Sequence, residues 1–222
     1  MSNDGAVTRY PGYDVLAKRH TPSWDAVTRK VVEERLATPL QPRFFNPMEW
    51  AAVVPLCICV VAQPVDRPPV PVAALLDARL FGSQGDGWRD ARLPPLRDAW
   101  RIGLAALDAE SRAAHGVLLA QLLLEQQMAL IGAMQRGELH AADWHGMPPE
   151  LFFSERVLHD LYGAYYSHPA AWSEIGFGGP ANPRGYVRLY EGRRDPWEAV
   201  ETAPDAGEDQ RDKVSRENDR VR

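Results

Sequence analysis

Cysteine is scarce in this chain. There are two among 222 residues, Cys57 and Cys59, set as C-I-C. Two residues apart on a helix, they point to different sides, and a disulfide between them would need strained geometry. They read as small buried apolar side chains, and neither a C-x-x-C-H haem attachment motif nor a zinc-type spacing is present. Long apolar runs are missing as well. The longest, Ala51 to Ala62, is interrupted by Pro55 and falls short of the roughly 20 residues a bilayer-spanning helix needs. Met1 to Thr21 is polar without an apolar segment, so no signal peptide is read there and the chain by itself reads as cytoplasmic. No dense Lys/Arg block occurs, and the formal net charge is −5. That balance argues against a nucleic-acid binder, which needs a basic surface to displace counterions, and against an anionic membrane surface. Runs of alternating apolar residues typical of strands are nearly absent.

The common catalytic signatures are lacking too. A dinucleotide site needs G-x-G-x-x-G between a strand and a helix. Gly82, Gly85 and Gly87 have the wrong spacing, and Gly176, Gly178 and Gly179 run into Pro180 and Asn182-Pro183. No P-loop and no G-x-S-x-G occurs, and neither cysteine has a histidine near it in sequence. The best metal-like grouping is Glu138, His140, Asp143 and His145, whose imidazole and carboxylate types suit zinc or iron, but it lies in a polar segment between Gly137 and Gly146. Glu155 and His159 are an i, i+4 pair, read as a helix-surface pair or a proton relay at an interface. A standalone enzyme would have to assemble its site from Glu155, His159, Asp160 and His168. The residues themselves therefore assign no catalytic residue, no cofactor-binding residue and no metal ligand.

What the sequence has is helical periodicity. Thr21 to Ala37 reads as a first helix, capped by Thr21 with Pro22 in its first turn and Trp24, Val27, Val31 and Leu36 inward. Asn46-Pro47 opens a second in the same manner. Apolar on nearly every face, it should be central and buried, with Pro55 kinking it. Further helices are expected over Val70 to Phe81, Pro94 to Leu107, Ser111 to Arg136 and Leu151 to Ser167, with irregular chain beyond Pro169. The fold class is all-α: a single helical domain over 21–200, a flexible segment over 1–20, and a charged tail over 201–222 that is disordered or ordered only on a partner.

One segment suits neither pure core nor pure surface. Tyr162, Tyr165, Tyr166, Trp172, Phe177 and Tyr186 crowd together with Arg184 and several glycines. Aromatics with arginine dominate interface hot spots, while the plainer reading is a second small hydrophobic cluster under a loop.

The stretch Glu155 to Leu189 combines an aromatic-rich helix, a His-Pro turn, a Trp and the motif I-G-F-G-G-P. It resembles the C-terminal signature of the gluconate 2-dehydrogenase subunit 3 family. F-F-N-P-M-E-W at Phe44 to Trp50 and D-R-P-P-V-P-V-A-A-L-L-D at Asp66 to Asp77 resemble the family's earlier motifs, and the resemblance spans about Phe44 to Trp197. It implies a non-catalytic small subunit that binds no cofactor itself. Its partner would be a catalytic flavoprotein of the glucose-methanol-choline (GMC) type, which holds FAD and oxidises a sugar or sugar acid, often with a cytochrome c as electron acceptor. The small subunit would assist folding, stability and export of that partner, either as a stable subunit or as a transient chaperone. Many members carry a twin-arginine signal; no paired Arg precedes an apolar segment near the start here. The complex is accordingly expected in the cytoplasm, or in the periplasm on a signal carried by the partner. Trp172, Phe177, Gly178, Gly179, Pro180, Arg184 and Tyr186 are the expected partner contacts.

Overall fold

The computed structural model describes residues 8–65, 67–83, 85, 87–180 and 195–220. Among them there is no strand, and the fold is all-α. The helices run in chain order as α1 (Ala26–Leu36), α2 (Pro47–Val60), α3 (Val72–Phe81), α4 (Leu96–His115), α5 (Leu124–Gln135), α6 (Pro149–Phe152), α7 (His159–Ser167), α8 (Pro169–Glu174) and α9 (Glu208–Asn218). A π-helical stretch, Phe153–Leu158, joins α6 to α7. The chain divides into two compact units, Thr38–Tyr165 and the two chain ends up to Ala37 and from Tyr166 onward. A single helical domain over 21–200 was expected, with a flexible segment over 1–20 and a tail over 201–222 disordered or ordered only on a partner; described residues from both ends fall in the second of these units.

In the Thr38–Tyr165 unit, α2 begins as its sequence suggests. Asn46 Oδ1 accepts from the amides of Met48 and Glu49 at 2.9 and 3.0 Å, while Glu49 Oε2 accepts from the Asn46 amide at 2.9 Å. This reciprocal cap satisfies donors that the helix start would leave open, and Pro47 loses nothing there. Pro55 sits inside the helix. Ala52, Val53, Leu56 and Cys57 are buried, but Met48 and Ile58 are 58% and 62% exposed. The helix is therefore not buried on every face: α3, α4 and α5 pack against it and leave an outer face open.

The long helix expected over Ser111 to Arg136 is two helices. Gly116 adopts φ +75°, and its amide closes on the Arg112 carbonyl at 2.9 Å. That left-handed C-cap is cheap only for a residue without Cβ, and it ends α4. Buried polar groups then hold the turn into α5. Asp108 accepts from the Leu119 amide at 3.0 Å, and the Gln127 side-chain amide donates to the Leu119 and Leu122 carbonyls at 3.1 and 3.2 Å.

The core of this unit is an aromatic ladder, with Phe152 edge-on to Trp100 at 5.5 Å, Trp100 to Phe45 at 6.3 Å, and Phe45 to Phe44 at 4.9 Å between centroids. Gly103 of α4 lies beneath the Phe152 ring. Beside the ladder Asp160, fully buried, accepts from Trp100 Nε1 at 2.7 Å and from Arg79 Nη1 at 3.1 Å. Trp100 can thus be buried completely with its one polar atom satisfied.

In the other unit, Tyr13, Val15, Trp24, Val32 and Trp172 form the core. The cap of α1 is Asp25, whose carboxylate accepts from the Thr28 amide at 2.7 Å, and not Thr21. Thr21 instead closes the preceding 3-10 turn, donating its hydroxyl to the Lys18 carbonyl at 2.7 Å. The inward row of α1 is Thr28 and Val32, while Val27, Val31 and Leu36 are 67%, 40% and 41% exposed. The adjacent pairs Val27-Thr28 and Val31-Val32 offer two parallel rows one residue apart, and periodicity cannot choose between them.

The charged tail forms α9. Asn218 is nearly sealed off: its Nδ2 donates to the carbonyls of Pro11 and Val200 at 2.9 and 3.0 Å, and its Oδ1 accepts from the Val200 amide at 2.7 Å. Thr202 N donates to the Arg9 carbonyl at 2.9 Å. Residues of the expected flexible N-terminus and the expected unordered tail thus satisfy each other's backbone.

Candidate partner-docking surface

Helix α8 and the turn after it carry the aromatic segment singled out in the sequence. His168 caps α8, its Nδ1 accepting from the Ala170 amide at 3.2 Å, and burial lowers its pKa. Pro169 occupies the first turn. Trp172 points inward and is 3% exposed, with Nε1 donating to the Tyr166 carbonyl at 2.6 Å. The chain then reverses. The Phe177 amide donates to the Trp172 carbonyl at 2.8 Å, and the Phe177 ring stands edge-on to Trp172 at 5.8 Å while remaining 40% exposed.

The reversal depends on glycine. Gly179 has φ +68°, and a Cβ there would sit 3.0 Å from ring atoms of both Trp24 and Trp172. The I-G-F-G-G-P motif thereby includes a packing position, with Gly179 set close against two indoles. Of the expected contacts, Trp172 and Gly179 are buried, Gly178 and Pro180 are half-buried and Phe177 is exposed. Arg184 and Tyr186 lie outside the described residues.

Under the same turn lies Lys18, 2% exposed, with Nζ 3.1 Å from Ser23 Oγ and 5.4 Å from the Trp24 ring centre. Burial pulls its pKa down to about 8, partly offset by the Glu198 and Asp195 carboxylates. Desolvation penalises the ammonium more than these neighbours stabilise it.

The other groups named from sequence do not converge. Glu138 pairs with Arg136 at 2.8 Å, and His140, Asp143 and His145 are exposed. Among the described residues there is no group of three or more His, Cys, Asp or Glu side chains able to hold a metal. His159 turns its Nδ1 to Asp160 at 3.1 Å, whereas His168 is occupied with the α8 cap. Both thiols are free, and burial pushes Cys57 up to about 12 and Cys59 upward as well. No described helix is long and apolar enough to cross a membrane.

Two surface features of the Thr38–Tyr165 unit escaped the sequence reading. At the start of α5, Leu123, Leu124 and Met128 are 73%, 56% and 56% exposed. At the start of α4, the guanidinium carbons of Arg97 and Arg101 lie 4.8 and 4.7 Å from the centre of the Phe44 ring, and that of Arg43 lies 4.5 Å from Phe81. The i, i+4 spacing of Arg97 and Arg101 placed them on one helical face, but nothing in the sequence set Phe44 beneath them.

No curated protein and no solved structure matches the chain. The family model for gluconate 2-dehydrogenase subunit 3 matches residues 47–179, from the first turn of α2 to the glycine turn after α8. The chain belongs to the gluconate 2-dehydrogenase subunit 3 family.

Proposed function

We propose that this chain is a non-catalytic accessory subunit of an FAD-dependent, GMC-type sugar or sugar-acid dehydrogenase, and that it stabilises the flavoprotein subunit and assists its maturation. FAD would reside in the partner, and a cytochrome c is the proposed electron acceptor. The complex is placed in the cytoplasm, or in the periplasm where the partner supplies an export signal. The family match over more than half of the chain carries this reading, because membership itself implies a partner dehydrogenase subunit. The open apolar residues of α5 support it. Leucine and methionine side chains left in water are the kind of surface that a stable partner covers.

The test is co-expression of the tagged chain with the flavoprotein encoded beside it, followed by purification and an absorbance spectrum. A stoichiometric complex with flavin bands, alongside a colourless lone chain, is the expected result. Association that is only transient, with flavoprotein yield still dependent on the chain, would replace the stable subunit with a chaperone. Substrate turnover by the lone chain would overturn both.

A further inference from the structure

Three guanidinium groups at one corner of the Thr38–Tyr165 unit are fixed before any partner arrives. The chain before α2 is pinned by the buried Asp77 carboxylate, which accepts from the amides of Arg43, Phe44 and Phe45 at 2.8, 2.9 and 2.9 Å. This holds Phe44 at the outer end of the aromatic ladder, where Arg97 and Arg101 stack over its ring and cover it. Arg43 lies in the same manner over Phe81, which is 50% exposed. A guanidinium lying on an aromatic face has little rotamer freedom left to lose and keeps its in-plane N–H donors free for a planar acceptor.

These cations are poorly neutralised. Arg101 meets Glu49 at 3.6 Å, on a side chain half exposed. Arg97 donates to the Ser83 hydroxyl at 3.2 Å, and among the described residues no carboxylate lies within ion-pair distance of Arg43 or Arg97. The chain as a whole carries a net charge of −5, so a cationic corner runs against its average. Beside Arg97 and Arg101 opens a cavity of about 400 Å³, with Leu80, Pro95 and Leu96 contributing apolar walls and Ser83 and Asp98 also on its lining. A cavity of this size, with an exposed phenyl ring nearby, suits a peptide segment better than a single small ion.

We infer that this corner docks an acidic segment of the partner subunit, with one carboxylate entering the cavity against Arg97 and another meeting Arg43. The inference rests on the accessory-subunit reading and adds to it the place and the charge of the contact. Preformed guanidinium forks take carboxylates in two-point hydrogen bonds, and arginine on a rigid support is a frequent hot spot.

The test measures the affinity of the purified chain for its flavoprotein as sodium chloride is varied. It compares the unaltered chain with Arg97→Gln, Arg97→Lys and the double variant Arg43→Gln/Arg97→Gln, with thermal unfolding of each isolated chain as the folding control. The double variant is expected to bind at least roughly tenfold more weakly at low salt and to lose part of the salt dependence, with Arg97→Lys intermediate. If the unaltered chain binds and the double variant matches it in affinity and salt slope, this inference falls while the subunit reading stands. If the unaltered chain does not bind at all, the subunit reading falls and takes the inference with it. Should the variants unfold, a polyglutamate peptide replaces them as the probe, because it should compete with the flavoprotein for the unaltered chain; no competition overturns the inference. Inorganic phosphate and acetate are titrated into the isolated chain in parallel. Binding that Arg97→Gln abolishes, with the complex unaffected, would reassign the cavity to a free anion.

Discussion

The far end of the Phe152 ring is packed so tightly against Gly103 of α4 that a Cβ built on the glycine would collide with its Cζ and Cε1 carbons. Phe152 is fully buried and stacked edge-on against Trp100, so it has no free direction in which to yield. Gly103→Ala raises helix propensity by about 1 kcal/mol but overpacks the site at a cost of about 1–3 kcal/mol. We expect a net loss of stability from Gly103→Ala, read as a lower urea midpoint with unchanged slope. A midpoint that rises would mean the ring can slide aside.

Asp160 supports a second test in the same core. It is fully buried and holds Trp100 Nε1 and Arg79 together. Asp160→Ala would leave the buried indole donor without its acceptor and remove the carboxylate from a guanidinium that is one quarter exposed. Removing one partner of a buried ion pair costs about 3–5 kcal/mol, reduced here because Arg79 reaches solvent. Asp160→Asn, which keeps one acceptor oxygen, should fall between the two, and chemical denaturation followed by tryptophan fluorescence would read the order.

Much of this architecture was open to reading from residue types. The Asn46-Pro47 cap follows from local rules that the folded chain obeys, and of the row Val72, Leu75, Leu76 and Leu80 expected to face inward in α3, all but the half-buried Leu75 are buried. Other features were hidden for a physical reason. Gly116 ends a helix inside a Leu- and Ala-rich stretch, where the periodicity on either side looks continuous. The tail has almost no large apolar residues, yet it carries α9, whose Asn218 satisfies backbone groups of Pro11 and Val200, contacts that lie outside the helix's own sequence. Trp172 was singled out as a partner contact by residue type, while its burial beside Trp24 and Gly179 is a tertiary feature that residue type does not reveal.

Lys18 should make stability depend on pH in the alkaline range. Its folded pKa of about 8 lies below the ordinary 10.5, with burial as the main cause. Between those values the unfolded chain retains a proton that the folded chain has released, so stability rises with pH across the window. Tyr13 acts in the opposite direction above its ordinary value of 10.0, since burial raises its pKa and disfavours the phenolate in the folded state. The thiols of Cys57 and Cys59 also oppose the rise above their ordinary value of 9.0, because burial keeps them protonated in the folded chain. The rise is therefore best read from pH 8 to 9, as an increase in unfolding temperature. Lys18→Met should flatten it; a wild-type profile that is level or falling over that range would show that Lys18 stays protonated in the folded chain.

The cysteines should differ in reactivity despite being two residues apart. The thiolate is the reactive form; burial pushes Cys57 up to about 12 and raises Cys59 as well, but Cys59 is only partly buried and so remains within reach of reagent. Iodoacetamide at neutral pH should label Cys59 slowly and Cys57 only after denaturant is added. Mass spectrometry of the labelled peptides would show it, and equal labelling of both in the folded chain would mean that α2 opens locally.

The proposed partner surface after α8 can be tested at Phe177 in a way that Trp172 does not allow. Trp172→Ala removes a core indole and its hydrogen bond to Tyr166, at a cost of about 3–5 kcal/mol, so any loss of complex would follow from loss of fold. Phe177 is 40% exposed and packs against Trp172 through one edge. Phe177→Ala should lower the unfolding temperature of the isolated chain only slightly. If this turn meets the flavoprotein, the same change should reduce the recovered complex severalfold in co-purification. Full recovery with Phe177→Ala, set against loss with Trp172→Ala, would make the aromatic turn a device for folding its own unit and leave docking to the arginine corner and the apolar start of α5.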